Sequence, residues 1–179
     1  MSNEPYFTAK DIALTGIFCA IWVILNLTLG PLSFALTGLP IIHDFGVFFT
    51  LLIVAWITGR FGTSSMAGII GSILTVMISG IALMIGFLPA AIVFDLVLVA
   101  NHHKIKLSAY SLAITAIATV LSGYVAGVVI GLLFMGMGVQ FALFFWGVWH
   151  AIGAVLAIVI TFPVIALLEK ANVRKIKGD

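Results

Sequence analysis

The sequence predicts an all-α integral membrane protein: a single domain over residues 1–179 with six transmembrane helices and both termini in the cytoplasm. Two observations carry this reading. The chain is 63% hydrophobic and only 8% charged, with a mean hydropathy of +1.32. A soluble domain of this size would leave too much of that apolar surface exposed, so the bilayer must be its solvent. The second observation is the placement of the eight lysines and arginines, all of which fall on one side once the apolar stretches are marked off as helices.

Helix one is expected over residues 11–30, ending at Gly30-Pro31. Glu4 and Asp11 do not suit the basic leader of a secretory signal, so this stretch reads as a retained helix. It contains Cys19, the only cysteine, which rules out a disulfide framework or a cysteine-based metal site. Helix two covers residues 43–59 and helix three residues 64–80. The break before helix four (86–101) rests on Ser79-Gly80, Gly86 and Pro89, because proline suits the first turn of a new helix better than the middle of an old one. One helix across both would be too long for the bilayer. Helices five (109–135) and six (140–168) complete the set.

Lys10 then precedes helix one, Arg60 lies between helices two and three, and Lys104 and Lys106 lie between four and five. Lys170, Arg174, Lys175 and Lys177 follow helix six. The opposite segments, residues 31–42, 81–85 and 136–139, carry no basic residue. By the positive-inside rule the basic side is cytoplasmic, at the cell membrane. A net charge of +2, distributed in this way, gives no basis for nucleic-acid binding.

An ionisable group at the bilayer centre costs on the order of 3 kcal/mol unless paired or hydrated, so polar side chains within the helices are informative. In helix one, Thr15, Cys19, Trp22 and Asn26 fall at helical spacing and carry an indole and an amide toward the outer half. In helix six, "FFWGVWHAIGA" sets Trp146, Trp149, His150 and Gly153 on one stripe. Interfacial or packing roles explain part of it. A histidine beside two tryptophans equally suits a ligand with a flat ring. His43 and Asp44 start helix two, where Asp44 is either an N-cap or, with His43, Asn26, Gln140 and the Trp/His stripe, the polar rim of an outward pocket. Asp95, with His102 and His103 two turns further along helix four, suits either a pairing within the bundle or a relay toward the inner surface. Adjacent histidines on a helix point about 100° apart, so no metal site is assigned.

Small residues form two further stripes. Gly123, Gly127 and Gly131 make overlapping GxxxG patterns in helix five, and Gly16 with Ala20 makes a small-xxx-small pair in helix one. Each allows close helix approach, to a neighbour in this chain or in another membrane protein.

With these features the chain resembles the substrate-binding S components of energy-coupling factor (ECF) vitamin transporters. The likeness covers the whole chain: its small size, six helices with both termini inside, no nucleotide-binding domain, the opening "AKDIALTGIFCAIWVILNLTLGP", and the glycine-bearing "ITGRFGTSSMAGIIGSI" joining helices two and three. The resemblance implies an S-component-like bundle that binds a vitamin or related micronutrient on the extracellular side. The pocket would lie in the outer halves of helices four to six, with residues 31–42 as a lid and Trp146, Trp149 and His150 in its wall. It also implies docking through an Ala-x-x-x-Ala-type motif, nearest here in Gly16-x-x-x-Ala20, on a membrane-embedded T component energised by two ABC ATPases, with the S component toppling in the lipid.

The chain itself has no P-loop pattern, so it reads as a transport subunit rather than an enzyme, with no cofactor. The lack of outer basic residues disfavours a strongly anionic ligand, whereas Asp44 and the tryptophans suit a flat neutral or cationic heterocycle such as thiamine or its pyrimidine precursor. Riboflavin and other vitamins stay open. Other classes are a self-sufficient small secondary transporter or channel using Asp95 as a proton route, an intramembrane enzyme using Asp95 or His150, and a structural membrane subunit. The enzyme lacks a second catalytic partner at recognisable spacing, and the structural subunit leaves the Trp/His stripe without a role.

Overall fold

Short local signals set the helix ends. In the computed structural model, which describes residues 6–173, α1 (Ala9–Thr37) opens on a reciprocal capping box. The Thr8 hydroxyl accepts from the Asp11 backbone N–H, and the Asp11 carboxylate accepts from that of Thr8. α1, α2 (Ile41–Thr58) and α3 (Thr63–Ser79) each end at a glycine in the left-handed region, Gly38, Gly59 and Gly80, where a side chain would be strained. α4 (Ala82–Asn101) begins and ends in 3₁₀ turns. α5 (Ala109–Phe134) closes on a π-helical segment at Ile130–Phe134, and α6 (Val139–Lys170) contains another at Ala142–Trp146. Among the described residues there is no strand.

Two expectations are corrected. Helix one does not stop at residue 30 but runs through Pro31 to Thr37, so most of the expected lid is helix and the connection to α2 is only residues 38–40. Proline removes one backbone donor, a loss a membrane helix tolerates when other groups satisfy the chain. Beyond the proline the helix end is tied down by hydroxyls: Thr37 donates to the Ser33 carbonyl at 2.8 Å, and Ser33 donates to the Leu39 carbonyl at 2.6 Å while accepting the Ile42 N–H at 3.0 Å. Helix four does not carry His102 and His103 on the face of Asp95. Both residues leave the helix at positive φ, 54° and 55°, and form the turn toward α5.

The helices pack in the cyclic order α1, α3, α4, α5, α6, α2, with α2 bridging α6 and α1 and also meeting α3 and α5. α2 is accordingly the most enclosed, with 72% of its apolar window buried against 28–44% for the other spans. Five of the helices are long and apolar enough to cross a membrane, and α3, at 17 residues, is a shorter apolar helix. The distribution of polarity matches a lipid surround. Ile24, Met77, Leu133, Phe144 and Leu167 are exposed on the perimeter, while Thr15, Thr50, Thr58, Thr75, Thr115 and Thr119 are buried. Each of these threonines bonds the carbonyl one turn back, so no buried hydroxyl among them is left unpaired.

The glycines of α5 pack inward. A Cβ on Gly123 would lie 2.8 Å from the Ala154 Cβ and 2.9 Å from the His150 carbonyl, and one on Gly131 would lie 3.1 Å from the Ala142 Cβ. This stripe is the α5–α6 seam. Gly16 differs: it is exposed, and a Cβ there would meet nothing within 4 Å. Ala20 is exposed on the same face.

All the described basic residues gather at one end. Asp11, next to Lys10, pairs with Arg60 at 3.1 Å, and Arg60 also donates to the Tyr6 carbonyl. Trp56 donates to Glu169, the neighbour of Lys170, at 3.2 Å. Asp95 accepts the backbone N–H groups of Gly62 and Ser65 at 3.1 and 2.7 Å, capping α3 from another helix. His103 lies 3.9 Å from its other oxygen. Burial, with a smaller contribution from the neighbouring His102, lowers the His103 pKa from the ordinary imidazole value. Arg174, Lys175 and Lys177, expected at this end, lie outside the described residues.

Gly123→Val should lower the thermal midpoint in detergent, at a cost of about 1–3 kcal/mol for forcing apart the α5–α6 seam, whereas Gly16→Leu should leave it unchanged. Asp95→Ala should also lower the midpoint, by about 1–3 kcal/mol for two backbone donors left without their acceptor.

Candidate functional site

At the opposite end the first turn of α2 and the middle of α6 meet. Asp44 is not the cap of α2 that its position suggests, because the helix begins at Ile41 and the donor at Ile42 is satisfied by Ser33 of α1. Asp44 lies within the first turn of the helix and turns its carboxylate sideways. His150 Nδ1 lies 2.9 Å from Asp44 Oδ1, and His43 Nδ1 lies 3.7 Å from the same oxygen. Since a carboxylate only accepts, His150 donates from Nδ1, and in the uncharged ring its remaining lone pair is on Nε2.

Close approach here depends on glycine. A Cβ on Gly153 would meet Asp44 Cβ at 2.6 Å and Oδ2 at 2.8 Å. One on Gly127 would meet His150 Cδ2 at 2.7 Å, and one on Gly30 would press on His43 Cδ2 at 3.2 Å. The cluster is sealed: His43, Asp44 and His150 are 2%, 0% and 2% exposed.

Aromatic rings wall it. Phe87, at the start of the α-helical part of α4, lies 5.3 Å from His43, 5.9 Å from His150 and 6.1 Å from Trp22, centroid to centroid. Trp146 meets His150 edge-on at 5.6 Å. Asn26 lies on the α1 face between Trp22 and Gly30; its amide donates to the Trp22 carbonyl at 2.8 Å. Around this core His43 Nε2, His150 Nε2, Asp44 Oδ2, Asn26 Oδ1 and the indole nitrogens of Trp22 and Trp146 are buried without a hydrogen-bond partner among the described residues. Leaving so many polar groups unpaired is costly. They form a cluster of acceptors on the imidazoles, carboxylate and amide, and donors on the indoles.

Of the residues expected in the site, His43, Asp44, Trp146 and His150 are brought together, with Asn26 on the adjoining face. Trp149 is only half-buried and packs edge-on against Phe145 at 6.2 Å. Gln140 is exposed, beside Phe141, Phe144 and Phe145 at an open surface concavity. The π segment at Ala142–Trp146 precedes the turn in which Trp146 and His150 face the cluster. Phe87 and Gly30 are additions that the sequence does not signal. Nothing local in "IGFLPAA" distinguishes Phe87 from any other core ring, while Gly30, next to Pro31, reads only as a helix end. Among the described residues no group of three or more His, Cys, Asp or Glu is arranged to hold a metal ion.

Comparison with family models, with curated proteins and with solved structures finds no match to this chain.

Asp44→Ala should destabilise the protein by about 1.5–3 kcal/mol, the range for a hydrogen bond to a charged group. It should also release the tautomer of His150, read as a change in the ring-nitrogen resonances of ¹⁵N-labelled histidine.

Proposed function

We propose that this chain is the substrate-binding membrane subunit of a micronutrient importer of the ECF kind. In this reading it takes a small, flat, neutral or cationic heterocycle from the extracellular side, with its basic end and both termini in the cytoplasm of a cell-membrane protein. The observation that carries the proposal is the sealed His43–Asp44–His150 cluster, whose unpartnered acceptors and indole donors are walled by Phe87, Trp22 and Trp146. The acceptors suit a ring bearing N–H groups, the indoles suit its lone pairs, and the aromatic walls suit its faces.

Two further features support it. The described basic residues lie at the far end from the cluster, in keeping with an inward orientation of that end. Gly16 and Ala20 are exposed, and a Cβ on Gly16 would meet nothing within 4 Å among the described residues, so the face is open to a T component. Energy would come from that component and its two ABC ATPases.

A second reading, a carrier working alone, is favoured by one observation: a carboxylate held between two imidazoles inside the helices is a group that can take up and release protons. Asp95 is occupied in capping α3, so Asp44 is the better candidate for that role.

Native mass spectrometry of the gently purified protein, followed by tryptophan-fluorescence titration with thiamine, its aminopyrimidine precursor and riboflavin, tests the binding reading. His150→Ala should weaken binding of the active compound by roughly ten-fold or more, as expected for losing a hydrogen bond to a buried charged or polar group. Binding that is unchanged in both His150→Ala and Trp146→Phe overturns the site. Uptake by reconstituted vesicles separates the two mechanisms: a proton gradient sufficient without ATPases would favour the self-sufficient carrier.

A further inference from the structure

Two adjoining depressions open at the basic end. One, of about 410 Å³, is bounded by Arg60, Phe61, Val99 and His103 together with His102 and Lys104. The other, of about 530 Å³, shares His102 and Lys104 and adds Asn101, Lys106, Ser108 and Tyr110. Arg60 is neutralised by Asp11, but among the described residues no carboxylate forms an ion pair with Lys104 or Lys106.

The backbone carrying these lysines is pinned. The Lys104 N–H donates to the Asn101 carbonyl at 3.1 Å and the Lys106 N–H to Ser111 Oγ at 2.9 Å. Asn101, only 7% exposed, directs its amide nitrogen to Ser111 and Thr115 at 3.3 and 3.5 Å. Its Oδ1 is buried with no hydrogen-bond partner among the described residues, so it has capacity for a donor. Close by in the chain, Leu96, Val99, Leu107 and Tyr110 are exposed apolar or aromatic residues, and the Tyr110 hydroxyl bonds the Ala100 carbonyl at 3.1 Å. Two unpaired cations, a buried acceptor and an exposed apolar collar at a helix-bundle end together match the chemistry of one ligand class.

We propose that Lys104, Lys106 and Asn101 form a site for an anionic phospholipid with a hydroxylated headgroup. The phosphate would sit with the two lysines, a headgroup hydroxyl would donate to Asn101 Oδ1, and the acyl chains would lie along the apolar collar. The site is independent of the uptake reading and lies at the other end of the molecule.

Native mass spectrometry of the full chain, exchanged into mixed micelles, tests this with phosphatidylglycerol, phosphatidylmethanol and phosphatidylcholine. The wild type should retain phosphatidylglycerol over phosphatidylcholine. The exposed double variant K104Q/K106Q should lose that preference by roughly thirty-fold, some five-fold for each lysine at a bilayer surface. Phosphatidylmethanol, with the same charge and no headgroup hydroxyl, should bind more weakly than phosphatidylglycerol. The control K10Q/K170Q removes equal charge from the same end and should retain the wild-type preference. Equal loss in the control would overturn the site in favour of a diffuse surface potential, and no preference in the wild type would overturn it outright. Displacement of phosphatidylglycerol by millimolar inorganic phosphate would reassign the lysines to a free-phosphate site.

Discussion

The hydrogen bond between Asp44 and His150 links the first turn of α2 to the middle of α6, and much of that end of the bundle is arranged around it. It exists because Gly153 leaves room for the carboxylate and Gly127 leaves room for the imidazole. In lipid, where apolar burial no longer drives helices together, close packing and a bond of this kind supply the association. A third glycine, Gly30, packs on His43, while Phe87 and Trp146 pack on the imidazoles, so the contact lies at the centre of both the packing and the candidate site.

The two ends of the molecule use their carboxylates differently. At the basic end Asp11 closes the cap of α1 and pairs with Arg60, and Asp95 caps α3, each through Oδ2. At the other end Ser33 takes over the capping of α2. That substitution of roles frees Asp44 for a side-chain bond to His150. Each of the three carboxylates keeps one buried oxygen without a hydrogen-bond partner among the described residues.

A sealed site has to open to exchange a ligand. The helices that cover it, α5 and α6, both contain π segments at this end, Ile130–Phe134 and Ala142–Trp146, joined by a short connection with Gly136 in the left-handed region. Such segments weaken the regular hydrogen-bond ladder and recur at functional positions. The 31–42 segment, expected as a lid, is mostly a continuation of α1.

Composition and charge alone determined an all-helical chain with several helices long and apolar enough to cross a membrane and with its described basic residues at one end, because hydropathy and charge placement are properties of the chain itself. The same was true of His43, Asp44, Trp146 and His150 as candidates, since ionisable and indole side chains inside apolar helices stand out by cost. Only the tertiary structure decided what they meet. Pro31 signalled a helix end, yet α1 continues through it to Thr37. Asp44 reads as a cap until Ser33, eleven residues earlier in the chain, takes its place. Trp149 shares a stripe with His150 on a regular helix but packs instead against Phe145. Phe87 and Gly30 carry no local signal at all, because their importance lies in which helix crosses opposite them, and helix crossings are set by packing across the whole bundle.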